Sequence, residues 1–160
     1  MLMQKILRKF KNKRIIVTGH TGFKGSWTSL WLQDLGADVT GFSLDNISNS
    51  DLYNCANVSL GMNSIIGDVR NFDSLREALM SSSPDIVLHM AAQALVRESY
   101  KDPLNTYNTN VMGTVNILEA CKECETVRSI INVTSDKCYA NDESNTGYKE
   151  DAPMGGYDPY

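Results

Sequence analysis

Five short apolar runs, continuous rather than alternating, recur along the sequence and are separated by stretches long enough for helices. They are Arg14–Thr18, Asp38–Ser43, Ser64–Ile66, Asp85–His89 and Ser129–Thr134. A strand that is apolar on both faces must be covered on both, and helical crossovers between parallel strands provide that cover. The spacing predicts helices over Trp27–Leu35, Asp73–Met80 and Leu104–Cys124. Asp102-Pro103 reads as the N-cap and first residue of the last of these. The fold class is therefore α/β, with a doubly wound parallel sheet. The pattern stops after Asp136, and residues 141–160 read as a polar, glycine-rich loop.

With 160 residues, 42% hydrophobic and 21% charged, the chain can bury the core of one domain but has no room for two. Disorder and small disulfide scaffolds are excluded. The net charge is −4, yet the first fourteen residues hold six of the fifteen Lys and Arg and no acid, leaving −10 for the remainder. Lys5, Arg8, Lys9, Lys11, Lys13 and Arg14 are interleaved with apolar residues. They read as a solvated amphipathic lead-in, with neither nucleic acid nor membrane as a partner. No cleavable apolar segment precedes the first run, so the expectation is a cytoplasmic protein with Cys55, Cys121, Cys124 and Cys138 as free thiols. Cys121 and Cys124 form a CxxC on a helix with no second pair, so packing rather than a metal is expected there.

Directly after the first run comes VTGHTGFKGSW, which sets Gly19, Gly22 and Gly25 between a strand and a helix. In that context the first glycine permits a tight turn, the second lets a pyrophosphate approach the backbone, and the third lets helix and sheet pack closely. The phosphates would sit at the helix N-terminus, where unpaired amides and the positive dipole end favour anions. The sheet is thus expected to be of Rossmann type, with a dinucleotide as ligand. Lys24 faces either the phosphates or solvent. Trp27 and Trp31, four apart, read as core or interface. An acid near the end of the second strand normally grips the adenosine ribose, but here that position is Ser43, with Asp45 two residues beyond. No arginine lies close enough to meet a 2′-phosphate, so NAD is expected over NADP. Asp68 is placed to meet the adenine, and His89 reads as a satisfied buried histidine.

The TGxxGFxG turn, GDVRN, HMAAQALVRESYKDP, TNVMGTVNILEA, VTSDKCYAN and the terminal GGYDPY together resemble the extended short-chain dehydrogenase/reductase family. Within it the resemblance is to the NAD-dependent nucleotide-sugar epimerases and dehydratases, and TSDKCY and TGHTGFKGSW look like the type that acts on CDP-glucose. This implies a lyase that converts CDP-glucose into CDP-4-keto-6-deoxyglucose and water, serving polysaccharide biosynthesis, with NAD regenerated in each turnover. It implies Tyr160 as the base at the sugar's carbon-4 hydroxyl and Asp136 as the general acid toward the departing hydroxyl. Lys137 would handle the carbon-5 proton or orient its base, and Ser135 would hydrogen-bond the carbon-4 oxygen. It further implies that Gly19, Gly22, Phe23, Gly25, Ser43, Asp68, Val69, Ala91, Ala92, Gln93 and Thr109 border the coenzyme, while Asn110 and Gly113 are structural. Without the resemblance, the bland alternative is that Asp136 and Lys137 form a solvated ion pair in a loop.

A phenol base needs its pKa lowered from about 10 toward 7. The family lysine that does so follows the tyrosine by four positions, whereas the sequence ends at Tyr160. The expectation is therefore an N-terminal piece, with residues 1–160 forming an incomplete NAD-binding domain that lacks the later strands and the substrate region. Ser129–Thr134 would be an unpaired sheet edge, and the chain marginally folded and inactive alone. Full-length family members are expected to be homo-oligomers, and a dimer of this piece would be weakened. Two other readings stay open: a 4-epimerase or dehydratase of another nucleotide sugar, and a non-catalytic NAD-binding module.

Overall fold

Five parallel strands form one sheet in a computed structural model that describes residues 8–45, 51–140 and 145–160. The strands are β1 (Arg14–Thr18), β2 (Asp38–Ser43), β3 (Asn63–Ile66), β4 (Ile86–His89) and β5 (Ser129–Asn132), in the order β3-β2-β1-β4-β5. The chain winds outward from β1 through β2 to β3, returns across the sheet to β4, and then winds the other way to β5. The connections leaving β1 and β4 part to opposite sides, which opens a crevice at the carboxyl ends of those two strands. The doubly wound, Rossmann-type expectation holds. Residues 1–7 of the basic lead-in lie outside the described residues, and no described helix is long and apolar enough to cross a membrane.

The helices are α1 (Phe23–Asp34), α2 (Leu52–Cys55), α3 (Phe72–Ser82), α4 (Val96–Lys101), α5 (Pro103–Tyr107) and α6 (Gly113–Glu123). Alternate residues of β1 feed two cores. Ile16 packs with Phe42, Leu75, Leu79, Val87 and Ile117, between the sheet and the α3/α6 pair. Ile15 and Val17 pack with Leu32 and Val39 beneath α1. Cover on both faces, expected for every strand, holds for the inner ones. It fails for β5, all four of whose residues are exposed, because among the described residues no further strand or helix lies beyond it.

Two helix expectations need correction, and one of the two alternatives for Trp27 and Trp31 falls away. Helix α1 starts at Phe23 rather than Trp27, because Gly22 ends the turn as an extended N-cap. Trp27 and Trp31 do not enter the core of this chain: they are 56% and 57% exposed, and the face of α1 laid on the sheet is Gly25, Ser26, Ser29 and Leu32. The helix expected over Leu104–Cys124 is broken by a π-helical turn, Asn108–Met112, between α5 and α6. There the Thr114 hydroxyl donates to the Asn110 carbonyl at 2.6 Å, drawing that oxygen out of the regular ladder. The short helices α2 and α4 carry too few turns to show an apolar period. The start signal at Asp102-Pro103 is realised as read, with the Asp102 carboxylate accepting from the Asn105 amide at 2.9 Å.

Helix α1 can lie this close only because Gly25 lacks a side chain: a Cβ there would stand 2.0 Å from the Gly19 carbonyl oxygen. Gly25→Ala is expected to cost about 1–3 kcal/mol, the range for forcing a methyl into a filled contact. Gly147→Ala, which meets nothing within 4 Å, should leave the urea midpoint essentially unmoved, and equilibrium denaturation compares the two.

Candidate functional site

The turn after β1 gives its three glycines three different jobs. Gly19 has φ +75°, and a Cβ on it would sit 2.9 Å from the Ala91 backbone, so both conformation and the closeness of the β4 loop require glycine. Gly25 is fixed by the contact with Gly19 just described. Gly22 is different: its φ of −73° suits any residue, and a Cβ would touch only the Gly19 oxygen at 3.3 Å. Neither conformation nor a severe clash demands glycine here as they do at Gly19 and Gly25, so the open space above Gly22 is the feature left to explain. Gly22 has no side chain with which to cap the 12-residue α1, and the first-turn amides therefore point toward that space. A pyrophosphate matches this cradle, with amides and a positive helix end facing its charge. Phe23, 72% exposed, and Lys24 flank it on the surface.

A buried polar chain holds the crevice in shape. The Thr18 hydroxyl accepts from the Met90 and Ala91 amides, both at 3.1 Å, and contacts His89 Nδ1 at 2.7 Å. With both lone pairs used, its single proton goes to Nδ1. His89 is thereby the neutral Nε2–H tautomer, and Nε2 donates to Thr114 Oγ1 at 3.3 Å. The line runs from β1 through β4 to the π turn, and His89 is a satisfied buried histidine as expected. On the other side of β1, His20 Nε2 lies 2.7 Å from Ser64 Oγ, which also accepts from the Tyr53 hydroxyl at 2.8 Å. Burial pushes both imidazoles down to about 4, the Phe42 backbone opposing this at His20.

The other residues expected beside a coenzyme are placed as follows. Ser43, at the tip of β2, is engaged by the Thr21 hydroxyl at 2.8 Å, and Asp45 is exposed beyond it. Asp68 stands at the carboxyl end of β3 with both oxygens facing Arg70. The Val69 side chain is buried in the core, and its carbonyl accepts from Asn116 Nδ2 at 2.9 Å. Ala91 and exposed Ala92 follow β4 at the crevice. Gln93 is held within its loop: its amide bonds Leu95 and Thr106, and its backbone is clamped by the Asn110 side chain at 2.8 and 3.1 Å. Thr109, half-buried, lies in the π turn.

The expected catalytic residues follow β5, at the same carboxyl-end edge of the sheet. Ser135 Oγ accepts from the Lys137 amide at 3.1 Å and starts the single turn Asp136–Cys138. The Asp136 side chain lies outside the described residues. Residues beyond 150 fold back antiparallel, pairing Ala140 with Pro153 and Gly155 with Cys138. This return delivers a residue that the sequence reading missed. Asp158, its side chain 10% exposed, bonds Lys137 Nζ at 3.0 Å through one oxygen and the Tyr160 amide at 3.1 Å through the other. One carboxylate thus joins two of the four expected catalytic residues. No sequence spacing announces it, because the pairing depends on the chain reversal. Thr18 and Thr21 were missed for a related reason, since each acts on a residue brought near by the sheet; Arg70 was missed although its partner Asp68 is only two residues away.

None of the four cysteines is in a disulfide, and burial, with Cys124 beside it, pushes the Cys121 thiol up to about 11. Among the described residues no group of three or more His, Cys, Asp or Glu could hold a metal ion.

The sheet order, the crevice and the glycine turn define an α/β nucleotide-binding domain of the doubly wound class. The chain belongs to the GDP-mannose 4,6 dehydratase family, whose model matches residues 16–160. It is 52% identical, over 94% of its length, to a CDP-glucose 4,6-dehydratase of Salmonella typhimurium, of which it covers 42%. It is 33% identical over 89% of its length to a UDP-glucose 4-epimerase of Neisseria meningitidis, again covering 42% of that protein. Among solved structures, a UDP-glucose-4-epimerase of Stenotrophomonas maltophila with bound NAD and formylated UDP-arabinopyranose superposes with a TM-score of 0.81 at 26% identity, over 93% of this chain and 44% of that one. A Thermus thermophilus UDP-glucose 4-epimerase in complex with NAD gives 0.79 at 28% identity, over 92% and 46%. The chain spans less than half the length of each of these proteins.

The two buried histidines set a pH dependence. Their folded pKa values, about 4, lie below the ordinary imidazole value of 6.5, so the unfolded chain binds protons first. Their contribution to stability is complete above about pH 6.5 and is lost as pH falls toward 4, by up to about 3 kcal/mol for each. Urea midpoints measured across that window should fall with pH, and His89→Asn should flatten the slope.

Proposed function

We propose that this chain is the NAD-binding portion of a nucleotide-sugar 4,6-dehydratase, with CDP-glucose as substrate and CDP-4-keto-6-deoxyglucose and water as products. The observation that carries the reading is an arrangement. The open amide cradle at Gly22 and the Ser135–Lys137 turn lie at one edge of one parallel sheet, in a chain that shares half its residues with a CDP-glucose 4,6-dehydratase. The relatives' greater length goes with a reaction performed by a protein of that length, to which these residues contribute the coenzyme cradle and the elimination turn. NAD, when bound, supplies reversible hydride storage.

The chain's own residues divide the remaining work. The first-turn amides of α1 hold the pyrophosphate, and Gly22 keeps the space clear for it. Asp68 accepts a hydrogen bond from the adenine. Ser43, with no acid beside it at the tip of β2, takes the ribose side together with Thr21. Tyr160 removes the proton of the carbon-4 hydroxyl, which must leave for a hydride to depart from that carbon. Ser135 hydrogen-bonds the same oxygen. Asp136 protonates the hydroxyl departing from carbon 6, and Lys137, held by Asp158, handles the carbon-5 proton. The amide of Gln93, committed within the fold, is left a structural role, so its loop approaches the coenzyme through the small residues Ala91 and Ala92.

Gly22→Val should cost only about 1 kcal/mol of stability for a poorer N-cap, read from the urea midpoint, leave the chain folded, and abolish the heat of NAD binding in titration calorimetry. Loss of the fold, or NAD heat unchanged by the valine, would contradict the assignment of Gly22. For the reaction, a protein of the relatives' length carrying these residues should form a 4-keto product from CDP-glucose. Asp136→Asn should slow it roughly 10²-fold or more, the weight of one general acid. Conversion of a UDP-sugar to its 4-epimer without loss of water would select the epimerase reading instead.

A further inference from the structure

Asp68 does not stand alone at the end of β3. Arg70, two residues on, wraps back so that its amide reaches Oδ1 at 2.9 Å, its Nε lies 3.0 Å from Oδ1 and 2.9 Å from Oδ2, and its Nη2 bonds Oδ2. The remaining arm of the guanidinium, Nη1, donates to Asn105 Oδ1 at 2.7 Å. The Asn105 backbone is in turn fixed, because its N–H is the one capped by Asp102 at the start of α5. A planar fork held at both ends has little freedom to rotate, and the carboxylate bound to it has no more.

The count of acceptor sites then matters. An ionised carboxylate offers about four lone-pair positions. The Arg70 amide, the shared Nε–H and the Nη2–H fill three of them, leaving about one, on a group that is partly exposed beyond the carboxyl end of β3. The guanidinium also holds the carboxyl below its ordinary range, so the remaining position is an acceptor throughout the neutral range. A fixed site with one acceptor and no donor suits one N–H of an exocyclic amine and opposes a carbonyl oxygen.

We infer that Arg70, anchored by Asn105, is the positioning residue that makes this chain select an adenine over a 6-oxopurine in the dinucleotide it binds. The inference rests on the proposed binding of NAD and on Asp68 as the adenine contact, and it adds the residues that set the selectivity. Arg70 touches no ligand atom in this scheme. It acts by aiming Asp68, so its loss should affect the choice between bases more than the fold. An Arg70 whose only role was to tie the β3 loop to α5 would weaken both dinucleotides alike.

The test is titration calorimetry of the chain with NAD and with nicotinamide hypoxanthine dinucleotide, which presents an oxygen where NAD presents the amine. The unmodified chain should favour NAD by roughly tenfold or more, the weight of one hydrogen bond to a charged group. Arg70→Met and Asn105→Ala should both reduce that ratio, Arg70→Met to within about threefold. Arg70→Lys, which keeps the charge without the fork, should fail to restore it. Urea midpoints near that of the unmodified chain establish that each variant is folded. If the unmodified chain binds neither dinucleotide, the NAD reading falls and this inference with it. If it favours NAD and Arg70→Met and Asn105→Ala keep the full ratio, the NAD reading stands and the role of Arg70 is overturned. Equal binding of the two dinucleotides by the unmodified chain overturns Asp68 as the base-reading group.

Discussion

The last residue of β1 carries the arrangement of the site. The Thr18 hydroxyl takes two amides of the β4 loop and gives its proton to His89, and by doing so seats that loop against Gly19. The Thr18–His89 bond is buried and the two amide bonds are half-buried, and away from water an unpaired polar group costs more than the net gain of a paired one. The geometry is therefore held by the penalty of breaking any one member. From that point the glycine turn leaves in one direction and the β4 loop in the other, and the crevice is the space between them. The same chain of bonds continues through Thr114 to the π turn, so the irregular segment of the long helix is tied to the crevice by hydrogen bonds rather than by apolar packing.

A second constraint is the distance between α1 and the sheet. Close approach requires Gly25, Ser26 and Ser29 on the inner face, and the Ser26 hydroxyl bonds the His20 carbonyl at 3.1 Å across that contact. Small residues inside oblige the larger ones to lie outside, which turns the usual amphipathic order of a surface helix around. Phe23, Trp27 and Trp31 thus share the outer face. The helix gives up apolar burial so that its N-terminus can stand directly over the end of β1.

Much of this was legible in the residue order. Continuous apolar runs gave β1 to β5 within a residue or two, since strands in the middle of a parallel sheet need apolar side chains on both faces whatever their neighbours are. The proline and acid at Asp102-Pro103 announced a helix start because the signal is local. The site was legible in part: the glycines could be assigned because strand, turn and helix are contiguous. The outer aromatics of α1 could not be placed, because periodicity says which residues share a face and not which face is turned inward. The break at Asn108–Met112 was hidden because Thr114 and Asn110 look ordinary in a helical register. Gln93 was read as a coenzyme neighbour from its position after β4, and its committed side chain became visible only with Asn110, Thr106 and Leu95 around it.

The sequence by itself determined the class of fold, the succession of strands and the position of the glycine turn, because each follows from contacts between residues close along the chain. Only the tertiary structure decided which groups work in pairs. Arg70 reaches Asn105 across 35 positions, Lys137 meets Asp158 across 21, and Thr18 meets His89 across 71. Such pairings are made by the crossovers and the chain reversal after β5, and the geometry of a charge or hydrogen-bond partner depends on where those turns deliver it, which no local pattern encodes.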